Sequence, residues 1–295
     1  MNFKAKILGA AMAAIGLTGA AQAYTVTPPG ERAGIDLASP LPEGVYFVDL
    51  AGFGNDRGAV SKASNFDYNV PIIAWATPWT ILGGRIQLLA AAPEASVSAP
   101  STPTSASVYA RGFYNPFVAG QIAFNLGNGF SASYLAGAYI AVDSPNSTGA
   151  WNQTTFHQQL ALAYHGGGWN ATANLMYGIV GNNNTSGAQN SNYFNYDLGL
   201  THTFGKWEVG IIGYGSVTNS INAYWLRGVY QGYAPGNYQF ALGGLVGYNF
   251  GPVILQVSLS TDVTSNYPSK ATFAGLHVIV PIWNPPAPAP VVAKY

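Results

Sequence analysis

The chain of 295 residues has no cysteine, so no disulfide and no thiolate metal site is available to it, and no lipid-modified cysteine can anchor it. Charge is scarce. Asp, Glu, Lys and Arg make up 7% of the residues, against roughly 25% in an ordinary soluble domain. A soluble protein of this length needs more charge than that to cover its surface. Long apolar runs are missing too. Beyond Ala23 there is no uninterrupted stretch long enough to read as a transmembrane helix. No basic patch or stripe occurs, which leaves nucleic-acid binding without an electrostatic footprint. What is abundant is aromatic residues, at 14%, and glycine, at 36 residues.

The first 23 residues read as a secretory signal. Lys4 and Lys6 precede an apolar run from Ile7 to Leu17, and Ala21-Gln22-Ala23 forms an A-x-A cleavage site. Without Lys4 and Lys6 the chain carries nine basic and eleven acidic residues, a net of about −2. Residues 24–43 are Pro-rich and unpatterned, and read as a periplasmic lead-in, with a segment tucked into a barrel lumen as the alternative. From residue 44 the chain falls into a rhythm. Stretches of alternating apolar and polar residues are separated by gaps that are strictly long, then short. The alternation predicts strands at about 44–54, 68–77, 84–92, 112–124, 129–142, 154–165, 169–180, 193–204, 206–218, 237–250, 252–263 and 271–283. Residues 55–67, 93–110, 181–192 and 219–236 read as long external loops, while Leu126-Gly127-Asn128-Gly129 and Gly166-Gly167-Gly168 read as tight turns. An all-β, transmembrane antiparallel barrel of about twelve strands has this layout, with long external loops and short periplasmic turns. The barrel unit covers residues 44–283, and 284–295 form a Pro-rich tail. Such a barrel lives in the outer membrane of a Gram-negative cell. Its expected partners are membrane lipid, the barrel-assembly machinery and a small-molecule solute.

Trp79, Phe130, Trp169, Phe204, Trp207, Phe250 and Trp283 all fall at short-turn ends, where an interfacial aromatic girdle belongs. Alternation places a mostly neutral polar set on the opposite, lumenal face, including Gln87, Gln121, Gln159, Asn174, Asn195 and Thr201. The few charges at Asp49, Arg85, Asp197, Glu208 and Asp262 are expected to point inward as well, because a charge facing lipid is costly. Asp49, Arg85, Asp197, Glu208 and Tyr214 are the candidate lumen or constriction residues. An Arg85–Glu208 ion pair across the lumen is one reading, and two independent charges at the rim the other. A neutral polar lumen suits small uncharged or amphiphilic solutes. The competing reading is a lumen closed by its own side chains.

Several short motifs, in order, resemble the MetA-pathway-of-phenol-degradation family of outer-membrane proteins. They are Leu41-Pro42-Glu43-Gly44-Val45-Tyr46-Phe47, then Thr77-Pro78-Trp79-Thr80-Ile81-Leu82-Gly83-Gly84, then Trp169 followed by Leu175-Met176-Tyr177. Phe194-Asn195-Tyr196-Asp197-Leu198-Gly199, Phe204-Gly205-Lys206-Trp207-Glu208-Val209-Gly210 and Val278-Ile279-Val280-Pro281-Ile282 complete the series, which spans about residues 41–283. The resemblance implies a barrel encoded near degradation genes for aromatic or other hydrophobic compounds, with an uptake role. It supplies no site residues. The tail after Trp283 departs from the usual barrel, which ends on an aromatic that the assembly machinery reads. Trp283 and Tyr295 are the two candidates for that signal.

Other classes find little support. A barrel hydrolase needs a Ser with a base in reach. His157 is followed by Gln158-Gln159, with no Ser two positions on, and His202 and His277 are isolated. His157 and His165, eight apart on one strand, are about 27 Å apart and cannot share a metal. No catalytic residue, metal site or cofactor is therefore expected. A surface-binding barrel with Asn- and Ser-rich loops, and a nucleoside-channel-like pore lined by Asp197 with Tyr214, remain alternatives.

Overall fold

The computed structural model describes residues 25–58, 64–100, 107–142, 152–184, 189–226, 229–266 and 269–286. Among them there are sixteen strands and no helix. The strands are β1 (Gly44–Gly58), β2 (Ser64–Ile81), β3 (Gly84–Ala91), β4 (Glu94–Pro100), β5 (Ser107–Phe113), β6 (Phe117–Gly127), β7 (Phe130–Tyr139) and β8 (Thr155–Gly166). They continue with β9 (Trp169–Val180), β10 (Tyr193–Phe204), β11 (Trp207–Thr218), β12 (Ile221–Leu226), β13 (Val229–Ala234), β14 (Tyr238–Asn249), β15 (Ile254–Ser265) and β16 (Ser269–Trp283).

Twelve of them close a barrel in the order β1-β16-β15-β14-β11-β10-β9-β8-β7-β6-β3-β2, with β2 returning to pair with β1. Every neighbouring pair is antiparallel. Closure is what hydrocarbon demands, since it offers no hydrogen bonds to an unpaired strand edge. The alternation carries through to burial. On β10, Tyr193, Asn195, Asp197 and Thr201 are buried, while Phe194, Leu198 and Leu200 are exposed on the outer face. Phe156, Leu160 and Leu162 on β8, and Val209 and Ile211 on β11, continue that outer apolar surface.

Two stretches that read as external loops carry strands. In the first, β4 pairs with the outer half of β2 and with β5. β3 with β4, and β5 with β6, are thus two long courses, each broken at a proline. Ala92 N–H donates to the Pro71 carbonyl at 3.2 Å, Tyr114 N–H to Pro93 at 2.8 Å and Ile140 N–H to Pro116 at 2.9 Å. The three prolines lack N–H donors of their own, so the ladder is interrupted there and then resumes. In the second, β12 and β13 form a separate two-stranded hairpin. The first predicted loop is shorter than expected, because β1 and β2 extend to Gly58 and from Ser64. The signal segment and residues 287–295 lie outside the described residues.

Residues 25–43 do not form a periplasmic lead-in. They run through the lumen as an irregular strap, from Leu41, whose N–H donates to Gln87 Oε1 near the periplasmic turns, to Thr25–Thr27 at the outer ends of the strands. An irregular segment has no ladder of its own, so the lumen's polar side chains satisfy its backbone. Gln121 and Ser133 donate to the Leu37 carbonyl at 2.6 and 2.7 Å, and Asn174 Nδ2 donates to the carbonyls of Arg32 and Ile35. Gly30 sits at φ +85° with its Cα against the Tyr214 ring. A Cβ there would lie 2.7 Å from ring carbons, so no larger residue fits.

Candidate functional site

The lumen and its strap form the site. At its middle, Asp197 on β10 is fully buried. Its Oδ1 accepts from Gly30 N–H at 2.8 Å and its Oδ2 from Arg32 N–H at 2.9 Å. The carboxylate thus clamps a turn of the strap whose backbone N–H groups point at it, the favoured arrangement for a buried anion. Tyr214 is directly opposite Asp197 in the β10–β11 register. Its hydroxyl pairs with Ser260 Oγ at 2.8 Å rather than with the acid. Within the strap, Arg32 Nε lies 3.6 Å from Glu31 Oε1, and the two charges, both nearly fully buried, offset one another. The Arg32 guanidinium also reaches His157 Nε2 at 3.2 Å and bonds Gln159 Oε1.

Arg85 and Glu208 face inward and do not pair. Arg85 Nη1 donates to the Thr77 carbonyl at 2.8 Å. Glu208 accepts from Thr201 and, at 2.9 Å, from Gln256 Nε2. Nearby, His165 Nε2 meets Asp36 Oδ2 of the strap at 2.7 Å, and His165 Nδ1 meets Asn170. Asp262 is buried and accepts from Ala271 N–H at 2.9 Å.

Asp49 is the exception to the inward rule. Leu50 faces the buried lumenal cluster, so Asp49, one residue before it, lies on the outer face, flanked in register by Val278 and Pro71. Its oxygens accept from Asn69 Nδ2 at 2.9 and 3.1 Å. The cost of an outward carboxylate is offset by that local partner, and the strand keeps its alternation. Beyond the membrane, at the outer rim, Arg111 on β5 forms a bidentate pair with Glu94 on β4 at 2.6 and 3.0 Å. That hydrogen-bonded guanidinium holds the Glu94 carboxyl below its usual range.

The seven turn-end aromatics, Trp79, Phe130, Trp169, Phe204, Trp207, Phe250 and Trp283, are all half-exposed, on outward positions at the same end of the barrel. Trp169 packs against His202, and Trp207 and Phe250 against Tyr248.

A group that sequence reasoning missed sits at the outer end of the lumen. Thr27 Oγ1 of the strap lies 2.9 Å from Tyr139 OH, 3.3 Å from Tyr193 OH and 3.5 Å from His157 Nδ1. Phe117 packs against Tyr139 at 4.5 Å and edge-on to His157 at 5.6 Å, and Tyr114 stands edge-on to Tyr139. The available signal was parity. Tyr139, His157 and Tyr193 all occupy lumenal positions at the outer ends of β7, β8 and β10, with β9 between the last two. His157 Nδ1 lies 3.2 Å from Tyr193 OH within the wall, and Thr27 of the strap joins Tyr139 to that pair. Among the described residues no cluster of His, Asp and Glu has the form of a metal site.

A family model described as "Putative MetA-pathway of phenol degradation" matches residues 49–276. The chain belongs to that family. No curated protein matches it. Among solved structures it is similar to the COG4313 outer membrane channel from Pseudomonas putida F1, at 12% identity and a TM-score of 0.63, covering 83% of this chain and 97% of that one. The Pseudomonas putida toluene transporter TodX is similar at 11% identity and a TM-score of 0.43, covering 83% and 91%. The first of these likenesses establishes the outer-membrane barrel fold.

Proposed function

We propose that this family member is an outer-membrane channel for small uncharged or hydrophobic compounds, aromatic ones among them. It is exported by residues 1–23 and inserted by the barrel-assembly machinery, with Trp283 or Tyr295 as the signal that the machinery reads. The observation that carries the reading is the chemistry of the filled lumen. Its wall is lined by neutral amides, hydroxyls and aromatic rings, and its buried charges are already engaged, Asp197 by the strap's backbone, Glu31 and Arg32 by one another, and Asp262 by Ala271 N–H of the wall. An ionic solute would have to displace those pairs and shed its own water, at several kcal/mol. A neutral amphiphile exchanges one set of hydrogen bonds for another. The family's link to phenol degradation agrees with this choice of solute. The passage of solute, rather than catalysis, is the activity assigned.

A second reading is a barrel sealed by its strap, acting in structure or surface binding. It is favoured by the continuous hydrogen bonding of residues 25–41 to the wall. Solute flux into liposomes carrying the refolded mature protein decides between them. Benzyl alcohol, an amino acid and a sugar are compared at equal gradients. Faster entry of the alcohol supports the channel reading, equal entry of all three means a general pore, and no entry through folded protein favours the sealed barrel.

A further inference from the structure

The group around Thr27 is built to receive a hydroxyl. Arg32 is a permanent donor and points Nη1 at His157 Nε2, 3.2 Å away, so that nitrogen is the acceptor and the ring proton sits on Nδ1. Nδ1–H therefore donates into the space shared by Tyr139 OH, Tyr193 OH and Thr27 Oγ1, and it also lies 3.2 Å from Tyr193 OH. A single oxygen at that point can accept from His157 and one tyrosine while donating to the other. Around it the walls are aromatic. Val26, next to Thr27, belongs to the apolar cluster that contains Tyr114, Phe117, Tyr139 and Tyr193. The strap thus fills the space with an apolar body and one hydroxyl.

Unpaired buried polar atoms recur along the lumen wall, at Thr172, Asn174, Asn195 and Ser216 among others, and two of them border this group. Thr155 and Gln159 are the lumenal neighbours of His157 on β8, and both are almost wholly buried. Yet Thr155 Oγ1 and Gln159 Nε2 have no hydrogen-bond partner among the described residues. Buried polar atoms are rarely left so.

We propose that Tyr139, His157 and Tyr193 form a binding site for a phenolic solute, and that the Val26–Thr27 pair holds the place of its ring and hydroxyl in the resting protein. The proposal deepens the channel reading, on which it rests for the route by which solute arrives. The ring would occupy the apolar space that Val26 leaves, and the hydroxyl the position of Thr27 Oγ1. A hydrocarbon of the same size would leave the His157 and tyrosine groups unpaired, the situation in which such sites discriminate most strongly.

Calorimetric titration of the folded mature protein in detergent tests this directly, with phenol and toluene as probes and the wild-type protein as reference. Thr27→Ala is expected to bind phenol about tenfold more tightly, because the resident hydroxyl no longer competes, and Thr27→Val, which keeps the shape, is expected to move in the same direction. Tyr193→Phe is expected to weaken phenol binding about tenfold and leave toluene within twofold. Unchanged phenol affinity in both Thr27 variants overturns the proposal, as does an equal loss of phenol and toluene binding in Tyr193→Phe. The titration reads no transport. The expected binding pattern without aromatic flux in liposomes would sink the channel reading and leave the site standing. Aromatic flux without that pattern would do the reverse.

Discussion

The two ends of the lumen are built from different materials. Near the periplasmic turns, Asp36, His165, Asn170, Thr203 and Glu208 are partly exposed and share hydrogen bonds, so water reaches them. At the outer end, Tyr139, His157, Tyr193 and Asn195 are buried, with the strap tip held among them. A charge at the first end is screened and cheap, and a charge at the second is neither. On the channel reading proposed above, the choice among solutes belongs to the outer end, and the periplasmic end is a wetted vestibule.

The contrast is sharpest when one change is made at both ends of one strand. Asn195→Arg puts an unpaired charge in the dry end and is expected to cost about 3–5 kcal/mol. Thr201→Arg, six residues along the same lumenal face, has Glu208 as a partner and is expected to assemble normally. The temperature at which the folded band is lost on a gel reads both, and equal losses would erase the distinction. Leu198→Arg lies between them on the outer face and is expected to cost about 2–4 kcal/mol in lipid, seen as failed insertion into liposomes. Asp197→Ala removes the clamp at the junction of the two regions and leaves the N–H groups of Gly30 and Arg32 unpaired. A loss of about 2 kcal/mol and raised single-channel conductance are expected, and unchanged conductance would show that the strap needs no clamp. His165→Ala breaks the partly exposed contacts with Asp36 and Asn170. Its effect on stability is expected to stay below about 1 kcal/mol, measured by the same gel shift.

All twelve wall strands were legible because a wall between lipid and lumen forces a period of two on the sequence. The strap's place in the lumen was legible only as the alternative to a periplasmic lead-in, since its partners are side chains on distant strands and its own residues follow no period. Gly30 and Asp197 meet across 167 positions. β4 and β5 were read as loop because residues 93–110 are mostly Ala, Ser, Pro and Thr, and Ala and Ser alternate too weakly to show a face. Asp49 was misplaced because alternation and the cost of charge in lipid both set it opposite an apolar face that read as the outer one. That face, Tyr46, Val48 and Leu50, packs inward instead, and a single amide, Asn69, is enough to let the acid sit on the other. His157, two residues before Gln159, was legible as lumenal, but Tyr139 and Tyr193 were not singled out, and Thr27, which joins them, lies in the unpatterned strap.

The strap also ties the seam of the barrel to its far side. Residues 25–43 run directly into β1, whose pairing with β16 joins the first and last strands of the wall. Their side-chain partners sit on β6, β7, β8, β9 and β10, and β9 lies opposite β1 in the ring. The strand that closes the wall is thus held twice, once by its neighbours' ladders and once by a spoke across the diameter.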